Sequence, residues 1–198
     1  LSLDNISKEE VIVNIRDEDM PNFEFIDLPG VREYPESAAK TTQELCRYYL
    51  EDKNSIVLCV IPSTVTRLTS CQSMRIIQDL KMEKNCILAL TMVDRLQPQD
   101  IEDLLVKRIL NQSDELTNLN FAGYVAIVNR IHTNVITLEE SDKSEEQWFR
   151  TNILDCIPPE YQEYRKQLEN NMTLNNLLGK MDILYGKFIN TCLLYTSP

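Results

Sequence analysis

Acidic and amide side chains stand at the ends of several apolar runs, where an open parallel sheet would gather them. Phe23-Glu24-Phe25-Ile26 leads into Asp27, and Leu28-Pro29-Gly30 follows. A carboxylate delivered at the tip of an apolar strand has the form of a Walker B element, in which the Asp holds Mg²⁺, here through water. Gly30 has no Cβ, so its backbone N–H could approach a γ-phosphate closely. D-x-x-G is common by chance, and it gains weight from the apolar strand before it.

A second run, Cys86 to Leu90, ends in Thr91-Met92-Val93-Asp94, which fits T-K-x-D at every position except Met92. A carboxylate placed there accepts hydrogen bonds from the ring N–H and the exocyclic amine of guanine. Adenine offers no such pair, and a buried Asp94 left unpaired against it costs about 1–3 kcal/mol. Taken alone, the motif fits equally well a carboxylate that caps the following loop. A third run, Tyr124 to Val128, ends at Asn129 and Arg130, a polar pair able to close over a base. Each signal is weak singly; their order along successive strand tips makes them stronger together.

The elements that must position these residues alternate. Strand signals fall at 11–15, 23–26, 55–61, 86–90 and 124–128. The runs at 55–61 and 86–90 are continuously apolar, which predicts burial on both faces of a parallel sheet. Helical spacing starts near Ser37 (Leu45, Tyr48, Tyr49), near Ser70 (Met74, Ile77, Leu80), at Pro98 (Ile101, Leu104, Leu105, Ile109) and after Thr173 (Leu174, Leu177, Leu178, Met181, Leu184). The fold class is therefore α/β, a doubly wound, mostly parallel sheet with C-terminal helices. The acidic stretch Glu139 to Glu146 reads as a solvated loop.

The formal net charge of −11, from 31 acidic against 20 basic residues, excludes nucleic acid as the expected partner. The six cysteines have neither zinc spacing nor a compact disulfide pattern, so reduced thiols are expected. His132, the one histidine, has no nucleophile motif around it.

The residues F-I-D-L-P-G-V at Phe25 to Val31 and G-Y-x-x-x-V-N-R at Gly123 to Arg130 resemble the dynamin-like large GTPases, and the likeness extends over about residues 10–190. Val31 stands where Ras-like GTPases carry a catalytic Gln, and dynamin-like proteins also lack that Gln. The resemblance implies a P-loop NTPase fold of the GTPase type, with GTP and Mg²⁺ as cofactors. It assigns Asp27 to Mg²⁺, Gly30 to the γ-phosphate, and Thr91, Asp94, Asn129 and Arg130 to guanine. It further implies a cytoplasmic parent with peripheral membrane association, which self-assembles and remodels membranes through regions outside this segment.

There are departures from that pattern. No G-x-x-x-x-G-K-[ST] occurs, so the chain is expected to begin after the P-loop and switch I, to be N-terminally truncated, and not to hydrolyse GTP by itself. Met92 replaces a Lys; its thioether covers a base but brings no charge. The expected organisation is a partial GTPase domain over 1–170, a helix leading out of it over 171–191 and a non-native tail over 192–198. The alternative function is a non-catalytic pseudo-GTPase interaction module.

Overall fold

A computed structural model of the chain describes residues 6–7, 9–16, 18, 24–31, 33–52, 55–129 and 137–196, with side chains through 190. It divides into two compact units, Leu1–Asp52 and Lys53–Pro198.

In the first unit the regular element is helix α1, Glu36–Leu50. Its buried face is Ala38, Ala39, Thr42 and Cys46, and not the expected Leu45, Tyr48 and Tyr49. Small side chains at four-residue spacing form that face, while Tyr48 is exposed. The Thr42 hydroxyl donates to the carbonyls of Ala38 and Ala39 at 3.1 and 3.0 Å, which removes its polar cost. The Tyr49 hydroxyl donates to the Glu10 carboxylate.

The strands expected at 11–15 and 23–26 are absent among the described residues of this unit. Val11, Ile12, Val13, Ile15 and Phe25 are exposed. An apolar run has the composition of a strand, but strand geometry persists only where a neighbouring ladder takes up its N–H and C=O groups. Neither run has such a partner among those residues.

The second unit is the α/β layer structure. Strands β1 (Val57–Pro62), β2 (Cys86–Thr91) and β3 (Gly123–Ala126) form a parallel sheet in the order β1-β2-β3. Helix α2 (Gln72–Leu80) crosses from β1 to β2 and buries Met74 and Ile77, as its spacing predicts. The crossover from β2 to β3 is helical, as the spacing after Pro98 predicts: a 3-10 turn at Pro98–Asp100, then a π-helical stretch over Glu102–Val106 that runs on into α3 (Lys107–Ile109) and buries Leu105 and Ile109.

β2 is buried along its whole length, in agreement with its unbroken apolar sequence. Leu88 and Leu90 enter the larger core cluster, while Ile87 packs with Val125 and Leu177 in the smaller one. β1 departs from expectation. It is an edge strand of the described sheet, and Val60 is 52% exposed.

The acidic stretch is the clearest correction. It is helix α4, Leu138–Phe149, with Glu145 and Phe149 buried. A capping box starts it: the Thr137 hydroxyl accepts the Glu140 N–H at 3.2 Å, and the Glu140 carboxylate accepts the Thr137 N–H at 2.9 Å. Glu139 and Glu140 then lie in the first turn, where the helix dipole favours negative charge. Helix α5 (Arg165–Asn170) follows, and Met172 bridges to Ala126 beside β3. Helix α6, Leu174–Thr196, begins after Thr173 as its spacing predicts, and its backbone runs unbroken through 191–192. No described helix is long and apolar enough to cross a membrane.

One buried cation ties α3 to the segment that follows β1 and to Glu115. Arg108 on α3 is 1% exposed. Its guanidinium donates to the carbonyls of Val65 at 2.8 Å and Thr66 at 3.1 Å, and to the Glu115 carboxylate at 3.1 Å. Glu115 in turn accepts the Leu68 N–H at 3.1 Å. Truncation by Arg108→Ala empties a fully buried position and takes the donor from the half-buried Val65 carbonyl and Glu115 carboxylate. The expected loss is about 1–3 kcal/mol of unfolding free energy in the full-length protein, read from urea denaturation; a loss under about 0.5 kcal/mol contradicts this account of the cluster.

Candidate functional site

Parallel pairing sends the segments leaving β1, β2 and β3 out at one edge of the sheet. Neighbouring strands lie about 4.8 Å apart, so residues just past adjacent tips are near neighbours. Backbone bonds join these exits at their first residues. Ser63 N–H donates to the Thr91 carbonyl at 2.7 Å, and Ile127 N–H donates to the Leu90 carbonyl at 2.9 Å.

At the central tip Thr91 is buried. Met92 follows with φ 55° and ψ 34°, in the left-handed region. That conformation costs a residue bearing a Cβ about 1–2 kcal/mol, and here it reverses the chain within one residue. Val93 consequently drops into the core, whereas Met92 and Asp94 face outward. The turn is locked by Arg95 N–H donating to the Met92 carbonyl and Leu96 N–H to the Val93 carbonyl, both at 3.1 Å. Asp94 thus sits on a tight Val93–Arg95 turn with its carboxylate open. The motif leads one to expect a buried Asp94. It is exposed, so the cost of mismatching a base arises only when a ligand covers it.

The neighbouring exit carries Asn129. β3 ends at Ala126, Val128 is buried, and Asn129 is the exposed residue after it. The Val128 N–H donates to a Glu145 carboxylate oxygen at 2.8 Å, which fixes the backbone just before Asn129. Arg130 lies outside the described residues.

Asp27 and Gly30 belong to the first unit, on an exposed segment without strand pairing. A Cβ at Gly30 would meet nothing within 4 Å, so packing inside the chain does not require glycine there. Among the described residues no cluster of three or more His, Cys, Asp or Glu could hold a metal ion. Mg²⁺ is commonly held by one or two carboxylates plus substrate phosphates and water, and the exposed Asp27 carboxylate fits that donor set. The structure therefore brings Thr91, Asp94 and Asn129 to adjacent tips and places Asp27 and Gly30 in the other unit.

Glu145 is the residue that sequence reasoning missed. Burial pushes its carboxyl up, and the backbone N–H groups of Leu174 and Val128 pull against that shift by favouring the charged form. A signal was present in the sequence. Thr137-x-x-Glu140 marks a helix start, and Glu145 lies four residues before Phe149, on the buried side of the helix so begun.

Residues 2–93 match the family model described as the dynamin family, a span that includes Asp27, Gly30 and Thr91. An Arabidopsis thaliana protein described as dynamin-related protein 4A is 27% identical over 156 residues, covering 76% of this chain and 48% of that protein. The chain thus spans about half the length of the curated relative it matches. Both findings support a segment of a dynamin-superfamily GTPase domain.

The left-handed turn can be tested without ligand. Met92→Ile puts a β-branched side chain at positive φ and is expected to cost about 1–2 kcal/mol, whereas Met92→Gly should change stability by under about 0.5 kcal/mol. Urea midpoints of the full-length variants provide the comparison, and equal losses would contradict the turn.

Proposed function

Proceeding from a dynamin-superfamily GTPase-domain segment, we propose that this chain supplies the base-recognising side of a guanine-nucleotide site in a GTP-hydrolysing protein. The observation that carries the reading is the placement of the Thr91–Asp94 turn and of Asn129 beyond adjacent parallel strands. Open α/β sheets bind ligands at the carboxyl ends of their strands.

In this reading each residue has a distinct task. Asp94 accepts the ring N–H and exocyclic amine of guanine. Met92 covers the base with its thioether, and Asn129 and Arg130 close the other side. Asp27 holds Mg²⁺ through water, and the Gly30 N–H contacts the γ-phosphate. Mg²⁺ supplies neutralisation of phosphate charge when bound. The whole protein is proposed to work at the cytoplasmic face of a membrane, coupling GTP hydrolysis to self-assembly and membrane remodelling.

Met92 favours a second reading, a pseudo-GTPase interaction module, because a thioether provides none of the charge of the lysine in T-K-x-D. Calorimetry on the full-length protein separates the two. The first reading expects GDP and GTP to bind at least about tenfold more tightly than ATP, with measurable phosphate release. Absence of guanine binding favours the interaction module.

The Asp94 assignment has its own test. Asp94→Asn exchanges one acceptor for an amide donor, which matches the C2 carbonyl of xanthine in place of the guanine amine. The expected result is a shift of at least about tenfold in relative affinity from GDP toward XDP. An unchanged GDP:XDP ratio removes Asp94 from the base site.

A further inference from the structure

Glu145 is a buried acid on α4, 7% exposed, and its two oxygens face two different segments. One accepts the Val128 N–H at 2.8 Å; the other accepts the N–H of Leu174, the first residue of α6, also at 2.8 Å. The same two segments are already laced through Ala126, whose N–H donates to the Asn171 carbonyl at 2.8 Å and whose carbonyl accepts the Thr173 N–H at 2.9 Å. Beyond Ala126 the sheet ladder stops, apart from the Ile127 N–H bond to Leu90. Glu145 is therefore what continues the restraint from the end of β3 to the residue before Asn129.

A carboxylate is the side chain suited to this place. Both partners are N–H donors, and only an ionised acid presents two acceptor oxygens with no donor of its own. Such charge-assisted bonds are about twice as strong as neutral ones, and the start of α6 favours negative charge. A glutamine would satisfy one N–H and turn its NH₂ toward the other.

We infer that Glu145 is a positioning residue for guanine-nucleotide binding, which holds the Val128–Asn129 backbone in the conformation that presents Asn129 to the base. This rests on the proposed site at the strand tips. Glu145 touches no nucleotide and acts through the backbone.

The test uses the full-length protein with Glu145→Gln and a matched destabilised control, Ile77→Val, whose side chain is buried on α2. Stopped-flow release of methylanthraniloyl-GDP is expected to be roughly fivefold to tenfold faster in Glu145→Gln. The KM for GTP should rise about as much, while kcat stays within about twofold because the phosphate side is untouched. Ile77→Val should leave release and KM at wild-type values. Unchanged release and KM in a folded Glu145→Gln protein overturn the inference alone, as does an equal rise in Ile77→Val. If the wild-type protein binds no guanine nucleotide, the proposed function falls and takes the inference with it. Should Glu145→Gln fail to fold, hydrogen exchange on the wild-type protein decides. Saturating GDP is expected to slow exchange of the Val128 amide at least about threefold, since a filled site and the latch then restrain one backbone; no change in that amide overturns the inference.

Discussion

β2 is hydrogen-bonded along both edges, to Val57–Pro62 on one side and to β3 on the other, and all of its residues are buried. Because both pairings are parallel, the chain must leave all three strands at the same edge. It must also return by a crossover each time, which places α2 and the helical segment over 98–109 on the sheet. No residue of the candidate site takes part in this pairing except Thr91, yet the pairing determines where Asp94 and Asn129 emerge. The site is a consequence of strand direction before it is a consequence of side-chain chemistry.

Pairing brings the exits together but does not shape them, and each exit is held by a different device. The segment after β1 is fixed by the Arg108 guanidinium with Glu115. The segment after β2 is shaped by the left-handed Met92 and its backbone turn. The segment after β3 is held by Glu145. Apolar packing cannot do this work, because dispersion and burial are non-directional and loops carry backbone groups that need partners. Two of the three devices are buried charged side chains. Their ionic character matches the task, since several N–H or C=O groups must be satisfied by one side chain.

What was legible in the sequence follows the same division. β2 was evident because burial on both faces leaves an unbroken apolar run, and α2 because one buried face leaves a stripe. The positions of Thr91, Asp94 and Asn129 at or just past strand ends were evident because they end such runs. The exposed segment at 24–26 shows the limit, since Phe25 and Ile26 have strand composition and lack a described ladder. Composition reports what a residue tolerates, and pairing is a property of two segments. The run at 139–146 failed for the opposite reason. Its charge suggested solvent, but a capping box and the buried pair Glu145 and Phe149 make it a helix. In α1 the small residues Ala38, Ala39 and Thr42 form the buried face, and a search for large apolar residues overlooks them.

The position of Met92 joins these threads. A lysine in T-K-x-D would place its charge at the same turn, where the Met92 backbone is left-handed. The turn buries Val93 while directing Asp94 outward, so the placement of the Asp94 carboxylate is separable from the charge of the residue at position 92. A chain can therefore keep the carboxylate in place after the ammonium is gone. In the proposed site Met92 would change what covers the base, and the strand tip would still determine where the base lies.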